Sequence, residues 1–474
     1  MVVGDVTTGT DVLVIGAGPG GYVAAIRAAQ RDLDVTLVER DAYGGVCLNR
    51  GCIPSKAYIT ATNVAHDAAT AEEMGIHADP AVDLGAMRGW KDEVVDRLTG
   101  GVEKLCKANG VSLLEGTATF VDEETVRVGH DGDGQGAETV AFEHCIVATG
   151  SRPVELPGLP FADDPILDSA AALDLETVPD RLVVVGAGYI GMELSTVFAK
   201  LGSDVTVVEM LDDVLPGYED DVARIVRKRA EDLGVDFAFG EGATGWLDGA
   251  DGGVVVTTET EDGEESTYGA DRVLVAVGRA PVTDTLDAEN AGLEANDDGF
   301  FETDDRCRTE VEGIYAVGDV AGEPMLAHTA SAEGVVAAET IAGDPAAVDA
   351  RAVPAAVFTD PEIATVGVTE AEARSAGFDP VIGEMPFNAS GRALTTGETD
   401  GFVRVVADAD GLVRGAQIVG PEASELIAEL TLAVEMGATL EDVAATIHTH
   451  PTLSEAVMEA AENARGQAIH TLNR

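Results

Sequence analysis

The sequence predicts an α/β protein with two parallel-sheet nucleotide-binding units and a smaller α+β unit at the C-terminal end. Three observations carry this prediction. The stretch DVLVIGAGPGG reads as a buried strand turning through glycines into a helix. A second copy of the same device starts at Leu182, and in both copies an acid follows the last glycine by 18 residues. After about residue 351 the pattern changes to strands and helices that no longer repeat the unit. With 474 residues the chain suits about three domains of roughly 150 residues. The expected boundaries are 1–150, 151–279, a return segment 280–350 that completes the first unit, and 351–474.

In chain order, residues 11–15 form the first strand, and Gly16, Gly18 and Gly21 shape the turn into a helix carrying Ala24, Ala25 and Ala28. A second strand, 35–38, ends at Glu39. Such glycines let backbone approach a pyrophosphate, the helix start faces its charge, and the acid accepts ribose hydroxyls. Next comes CLNRGCIPSK, with Cys47 and Cys52 just before a helix start in which Pro54 is tolerated. Helix N-termini can lower a thiol pKa from about 8.5 to roughly 3.5–7.5. Two small buried hydrophobes, or half of a zinc site, are the other readings of the pair. No second Cys pair or His cluster with ligand spacing accompanies it, so no metal is expected. A redox-active dithiol is the sharper reading, and it needs an electron partner. An amphipathic helix over 84–107, a strand-like run over 113–120 and an acidic hairpin-like region lead to an apolar strand ending at Gly150.

The second fingerprint comprises a strand at 182–185, Gly186, Gly188, Tyr189, Ile190 and Gly191, then a strand at 205–208 and Glu209. A simple dehydrogenase needs one dinucleotide site, so the other is expected to hold a bound redox cofactor, FAD. The unit closes with the strand 273–278 and Arg279. A short strand then delivers Asp319 to a loop, where its carboxylate either bonds a cofactor hydroxyl or caps the following helix. Further on stand strands at 402–406 and 415–419 and a helix at 422–436. In HTHPTLSE, His450 and Glu455 form either an oriented imidazole–carboxylate pair or a helix cap.

Composition narrows the partners. Against 29 Lys plus Arg stand 86 Asp plus Glu, a formal net charge of −57, which repels nucleic acid and anionic lipid. The acids are spread over loops such as 131–133, 259–265 and 297–298, and lysine occurs only at 56, 91, 104, 107, 200 and 228. A distributed acidic surface of this kind points to a halophile, in which molar salt screens self-repulsion over about 3 Å. No run nears the roughly 20 apolar residues of a membrane span. The start lacks a basic signal-type region. With five cysteines and no disulfide framework, the expected location is the cytoplasm.

Taken together, GAGPGG, CLNRGCIPSK, ATGSRP, GAGYIGME, VGRAP, YAVGDVAGEPMLAH and HPTLSE resemble, in this order, the flavin-dependent pyridine nucleotide-disulfide oxidoreductases. The resemblance spans nearly the whole chain. It implies FAD- and NAD-binding Rossmann-like domains and a C-terminal dimerisation domain. It also implies a homodimer acting on a dihydrolipoyl group, carried by an acyltransferase subunit of a 2-oxoacid dehydrogenase complex or by the glycine cleavage lipoyl protein. Cys52 would be the cysteine nearest the flavin and Cys47 the one that meets the substrate. Lys56 would sit near the flavin, paired with Glu193. Glu39, Ala118, Asp319 and Ala327 are similar to FAD contacts. Positions 186–190, Glu209, Ala243, Gly278 and Arg279 match the NAD side, with Tyr189 covering the flavin. His450, oriented by Glu455, would be the acid/base for the dithiol of the other subunit. Glutathione reductases usually have lysine where Ser55 stands, and mercuric reductases end in a cysteine pair, whereas this chain ends QAIHTLNR. A flavoprotein redox sensor without turnover is the remaining alternative. Arg50 departs from the small apolar residue more usual there.

Overall fold

The structure, a computed structural model, describes residues 7–130, 136–161, 164–249 and 252–473. The acidic loop 131–133 lies outside them, as do residues 1–6 and Arg474. The first unit runs β1 (Thr7–Ile15), α1 (Pro19–Ala29), β2 (Val35–Glu39), α2 (Gly45–Asn49), α3 (Cys52–Thr70), α4 (Leu84–Ala108), β3 (Ser112–Glu115), β4 (Thr117–Asp122), β5 (Thr125–Gly129) and β6 (Ala137–Val147). Strands β3, β2, β1 and β6 lie parallel in that order. Strand Ile314–Ala316 returns to pair with the end of β6, while β5 and β4 continue the sheet antiparallel. Successive β1 side chains enter different cores: Val12 and Val14 join one apolar cluster, Leu13 and Ile15 another. Burial on both faces is why the strand reads as an unbroken apolar run.

Several expected elements differ in extent: the first strand begins at Thr7 rather than at residue 11, and the strand expected over 273–278 is Arg272–Val275. The run at 113–120 is two strands broken at Gly116, whose φ is +154°. The apolar strand before Gly150 is the end of the 11-residue β6. Residues 137–141 of β6 pair with β5 and carry mixed polar side chains, so only its buried end had a legible signal.

The second unit repeats the plan with parallel strands Val235–Phe239, Asp204–Glu209, Arg181–Val185, Arg272–Val275 and Ile166–Leu167, in that spatial order. A three-stranded antiparallel excursion, Glu241–Asp248, Val254–Thr260 and Glu265–Ala270, carries Ala243. The chain crosses between the two units along an antiparallel pair, Ser151–Pro153 with Arg279–Pro281. The last glycine of each fingerprint packs strand against helix. A Cβ on Gly21 would lie 1.8 Å from the Gly16 carbonyl oxygen, and one on Gly191 2.0 Å from that of Gly186. A five-stranded antiparallel sheet with helices Ala423–Met436, Leu440–Ala445 and Glu455–Ala464 forms the C-terminal unit.

Candidate active site

A cavity of about 440 Å³ runs along the carboxyl ends of the first sheet. Glu39, Gly16 and Gly18 line it, as do Ala118, Gly150, Asp319 and Ala327. Cys47, Cys52, Lys56 and Glu193 stand on the same cavity, with Tyr189, Ile190 and Arg279 of the second unit at its wall. Gly45 abuts the fingerprint so closely that a Cβ there would meet Gly18 Cα at 2.5 Å.

The acids of the two fingerprints are used alike. Glu39 accepts from the Ala17 and Asp41 backbone N–H groups at 2.7 and 2.8 Å. Glu209 accepts from Ala187 and Leu211 at 2.7 and 2.9 Å. Each carboxylate thereby fixes its glycine turn and keeps lone pairs for a ribose hydroxyl.

Helix starts give the cavity its electrostatic character. Six α-helices present their first turns to it; five of them, α1, α2, α3, Tyr189–Lys200 and Ala327–Ile341, have neither a capping side chain nor an acid in the first turn, while the short Ser169–Ala172 is capped by Asp168. Every other α-helix among the described residues has one or both. In a chain of net charge −57 five helix starts without a side-chain cap thus converge where a dinucleotide pyrophosphate and a thiolate would need them. The residues present fit FAD at the first fingerprint and NAD at the second.

Cys47 lies in α2 and Cys52 at the first position of α3, and both are free thiols. The pair is asymmetric. The Cys47 thiol donates to the Cys52 sulfur, which raises the pKa of Cys47. That hydrogen bond is the largest cause lowering Cys52 to about 7; burial opposes it and the Lys56 ammonium assists. Cys106, Cys145 and Cys307 are buried. Burial pushes Cys106 up to about 11 and Cys307 to about 12, so they pack as inert thiols. Lys56 Nζ is 2.7 Å from Glu193 Oε2 and lies 4.5 Å from the centre of the Phe358 ring. Glu193 Oε1 accepts from Phe358 N at 2.9 Å. Lys56→Met is therefore expected to move the Cys52 titration upward by about 1 pH unit or more, and Glu193→Gln to move it downward. Ultraviolet thiolate absorbance of the reduced protein, with Cys52→Ser as blank, measures both; an unmoved midpoint in Lys56→Met would remove Lys56 as counter-ion.

Asp319 sits in the short turn Gly318–Val320 and accepts from Ser151 Oγ. The helix Ala327–Ile341 starts at Leu326 without it, so the capping alternative falls. Ser151 Oγ in turn accepts from Arg279 Nε at 2.8 Å, joining both units. Ser151 falls within ATGSRP, one of the strings that carry the resemblance, whereas Phe358 has no local signal in the sequence.

Gly186, Gly188, Gly191, Glu209 and Gly278 belong to the second unit's own turn and do not line the cavity, nor does Ala243. His450 and Glu455 also stand apart from it. His450 Nδ1 is 2.9 Å from Glu455 Oε1, with the His450 side chain 79% exposed. Glu455 Oε2 accepts from Thr452 N at 2.9 Å. Ser454 precedes the helix Glu455–Ala464, so His450 is not its cap. In a neutral imidazole whose Nδ1–H faces the carboxylate, Nε2 is the acceptor.

Two family models match the chain: pyridine nucleotide-disulphide oxidoreductase over residues 10–334, and the dimerisation domain of that family over 353–461. It is 73% identical to dihydrolipoyl dehydrogenase of Haloferax volcanii, with 100% of both chains covered. Identity is 69% to that of Halobacterium salinarum and 51% to that of Geobacillus stearothermophilus, again with 100% of both chains covered. Among solved structures, LpdA from Mycobacterium tuberculosis superposes with a TM-score of 0.89 at 29% identity, covering 96% of this chain and 99% of that one.

Proposed function

Because the chain belongs to the pyridine nucleotide-disulphide oxidoreductases, and among them to the dihydrolipoyl dehydrogenases, we propose that Cys47 and Cys52 are its redox pair and His450 its base. The reaction is oxidation of dihydrolipoyl groups to lipoyl with reduction of NAD. Bound FAD supplies the two-electron link between the dithiol and NAD. Residues 1–150 and the return segment 280–350 hold FAD through Gly16, Gly18, Glu39 and Asp319; residues 151–279 hold NAD through the second fingerprint. Glu209 repels a 2′-phosphate, and the following Met210, Leu211 and Asp212 offer no arginine to receive one, which favours NAD over NADP.

What supports the reading most is that Cys47 and Cys52 line one cavity together with the Lys56–Glu193 pair and the turn of the first fingerprint. His450 takes the proton of one dihydrolipoyl thiol, and the thiolate attacks Cys47 of the oxidised pair. A substrate–Cys47 disulfide forms as the Cys47–Cys52 bond breaks and Cys52 leaves. The lower pKa of Cys52 makes it the better leaving group. The second substrate thiol then attacks its neighbour, closing the lipoyl disulfide and releasing Cys47. One proton ends on Cys47 and one on His450, which leaves the Cys47 thiol donating to the Cys52 thiolate.

The protein acts as a homodimer, and His450 serves the dithiol of the other protomer. Support comes from the matched dimerisation domain and from the exposure of His450 outside its own chain's cavity. Its substrate is the lipoyl group of an acyltransferase subunit or of the glycine cleavage lipoyl protein. A cytoplasmic location is proposed on the free thiols; no helix among the described residues is long and apolar enough to cross a membrane. Assay of NAD reduction by dihydrolipoamide at high salt tests the function. Absence of turnover beside rapid turnover of a different disulfide would overturn it.

A halophilic setting is part of this reading, supported by the relatives from Haloferax and Halobacterium. The melting temperature is expected to rise between about 0.1 M and about 1 M potassium chloride, where the Debye length falls from about 10 to about 3 Å. A temperature that stays constant across that range would refute it.

A further inference from the structure

The second unit and the C-terminal unit share one apolar core. Val222, Ala223 and Val226 of the helix Asp220–Asp232 lie in the same cluster as Ile363, Phe402 and Val419 of the C-terminal sheet. An apolar seam of this kind resists the relative motion that is otherwise the default between domains.

Ion pairs close the seam at both ends of that helix, with opposite polarity. At its start, Arg404 of the C-terminal sheet reaches Glu219 at 2.9 Å and also pairs with Asp221. Its side chain is only 9% exposed; it keeps Glu384 at 3.0 Å and Gln417 at 3.1 Å within its own sheet and stacks 4.3 Å from the Phe402 ring centre. At the other end, Asp360 of the C-terminal unit receives Lys200 at 2.7 Å and Arg229 at 3.2 Å. Acids at the helix start and a base in its last turn also suit the helix dipole.

Glu219 closes the loop 210–219, which leads back to the second fingerprint. Leu215 N donates to the Ala187 carbonyl at 2.8 Å, and Ala187 N donates to Glu209 at 2.7 Å. Leu215 holds a left-handed φ of +52°, a conformation that needs support from its surroundings. Both sides of the residue between Gly186 and Gly188 are thus tied to this loop and its leading acid, and the far end of the loop is tied to Arg404.

We propose that Arg404, a residue of the C-terminal unit, is a positioning residue for the nicotinamide dinucleotide site. By holding Glu219 and Asp221 it fixes the 210–219 loop against the second fingerprint. The proposal rests on the reading of that fingerprint as the NAD side. With Arg404 buried and its partners half-buried, the strut is screened by salt less than fully exposed pairs are. Its use is to fix a conformation rather than to add stability, since buried pairs are seldom net stabilising.

Rapid mixing separates the two halves of the reaction in the holoenzyme. Arg404→Gln is expected to raise the NADH concentration for half-maximal reduction about tenfold while leaving reduction by dihydrolipoamide within about twofold. If Arg404→Gln fails to fold, the double variant Glu219→Gln, Asp221→Asn keeps Arg404 paired with Glu384 and is expected to show the same split. Equal loss in both halves, no loss in either, or a fall in melting temperature alone would overturn the proposal. Wild-type enzyme that NADH cannot reduce would instead overturn the assignment of the NAD site itself.

Discussion

Cys47→Ser is expected to abolish oxidation of dihydrolipoamide, by at least about a thousandfold, while FAD stays bound and reducible by NADH. Serine retains the small volume of the site and a donor for the Cys52 sulfur, so the cavity and its helix starts persist. What it lacks is a sulfur that can form a disulfide, so no exchange with the substrate can begin. Cys52 keeps a hydroxyl donor at 47 and the Lys56 ammonium, and Lys56 lowers its pKa. The measurement is steady-state turnover with dihydrolipoamide beside the reaction of NADH with an artificial acceptor. Loss of both activities would mean that Cys47 supports the cavity rather than the exchange.

His450→Gln is expected to slow dithiol oxidation by about 10²–10⁴-fold, the usual contribution of a positioned general base, and to leave reduction by NADH unchanged. Glutamine cannot take the thiol proton, so the attack on Cys47 waits for the small fraction of substrate already ionised. The rate of the variant should therefore climb with pH as the substrate thiols ionise. Burial works against the charge on Glu455, but the Thr452 N–H and His450 outweigh it and hold its pKa below the usual range. Glu455 is thus an anion at the pH of catalysis and fixes the imidazole tautomer. Single-turnover reduction by dihydrolipoamide across pH checks this, and a flat, wild-type rate in His450→Gln would assign the base elsewhere.

Much of the architecture could be read from the sequence because its causes are local. Glycine turn, helix and terminal acid of each fingerprint lie within some two dozen residues, and Glu39 bonds the turn it follows. The cysteine pair and its helix start are contiguous, and Asp83 caps the long amphipathic helix at the expected place. What escaped depends on contacts made only after folding. Phe358 meets Glu193 across 165 residues, Ser151 meets Asp319 across 168, and Arg404 meets Glu219 across 185. Each of these side chains is ordinary in its own segment. The first half of β6 escaped for a different reason, since its pairing with β5 leaves polar side chains that read as loop.

The five acid-free helix starts set a limit for protein engineering. A designer adapting an enzyme to brine would scatter aspartate and glutamate over every exposed position that tolerates them. Here that freedom ends at a few first turns, where one added carboxylate would compete with a phosphate or a thiolate for the same N–H groups. A salt-adapted redesign of any dinucleotide enzyme would begin by marking such turns as untouchable and spend its new charge elsewhere.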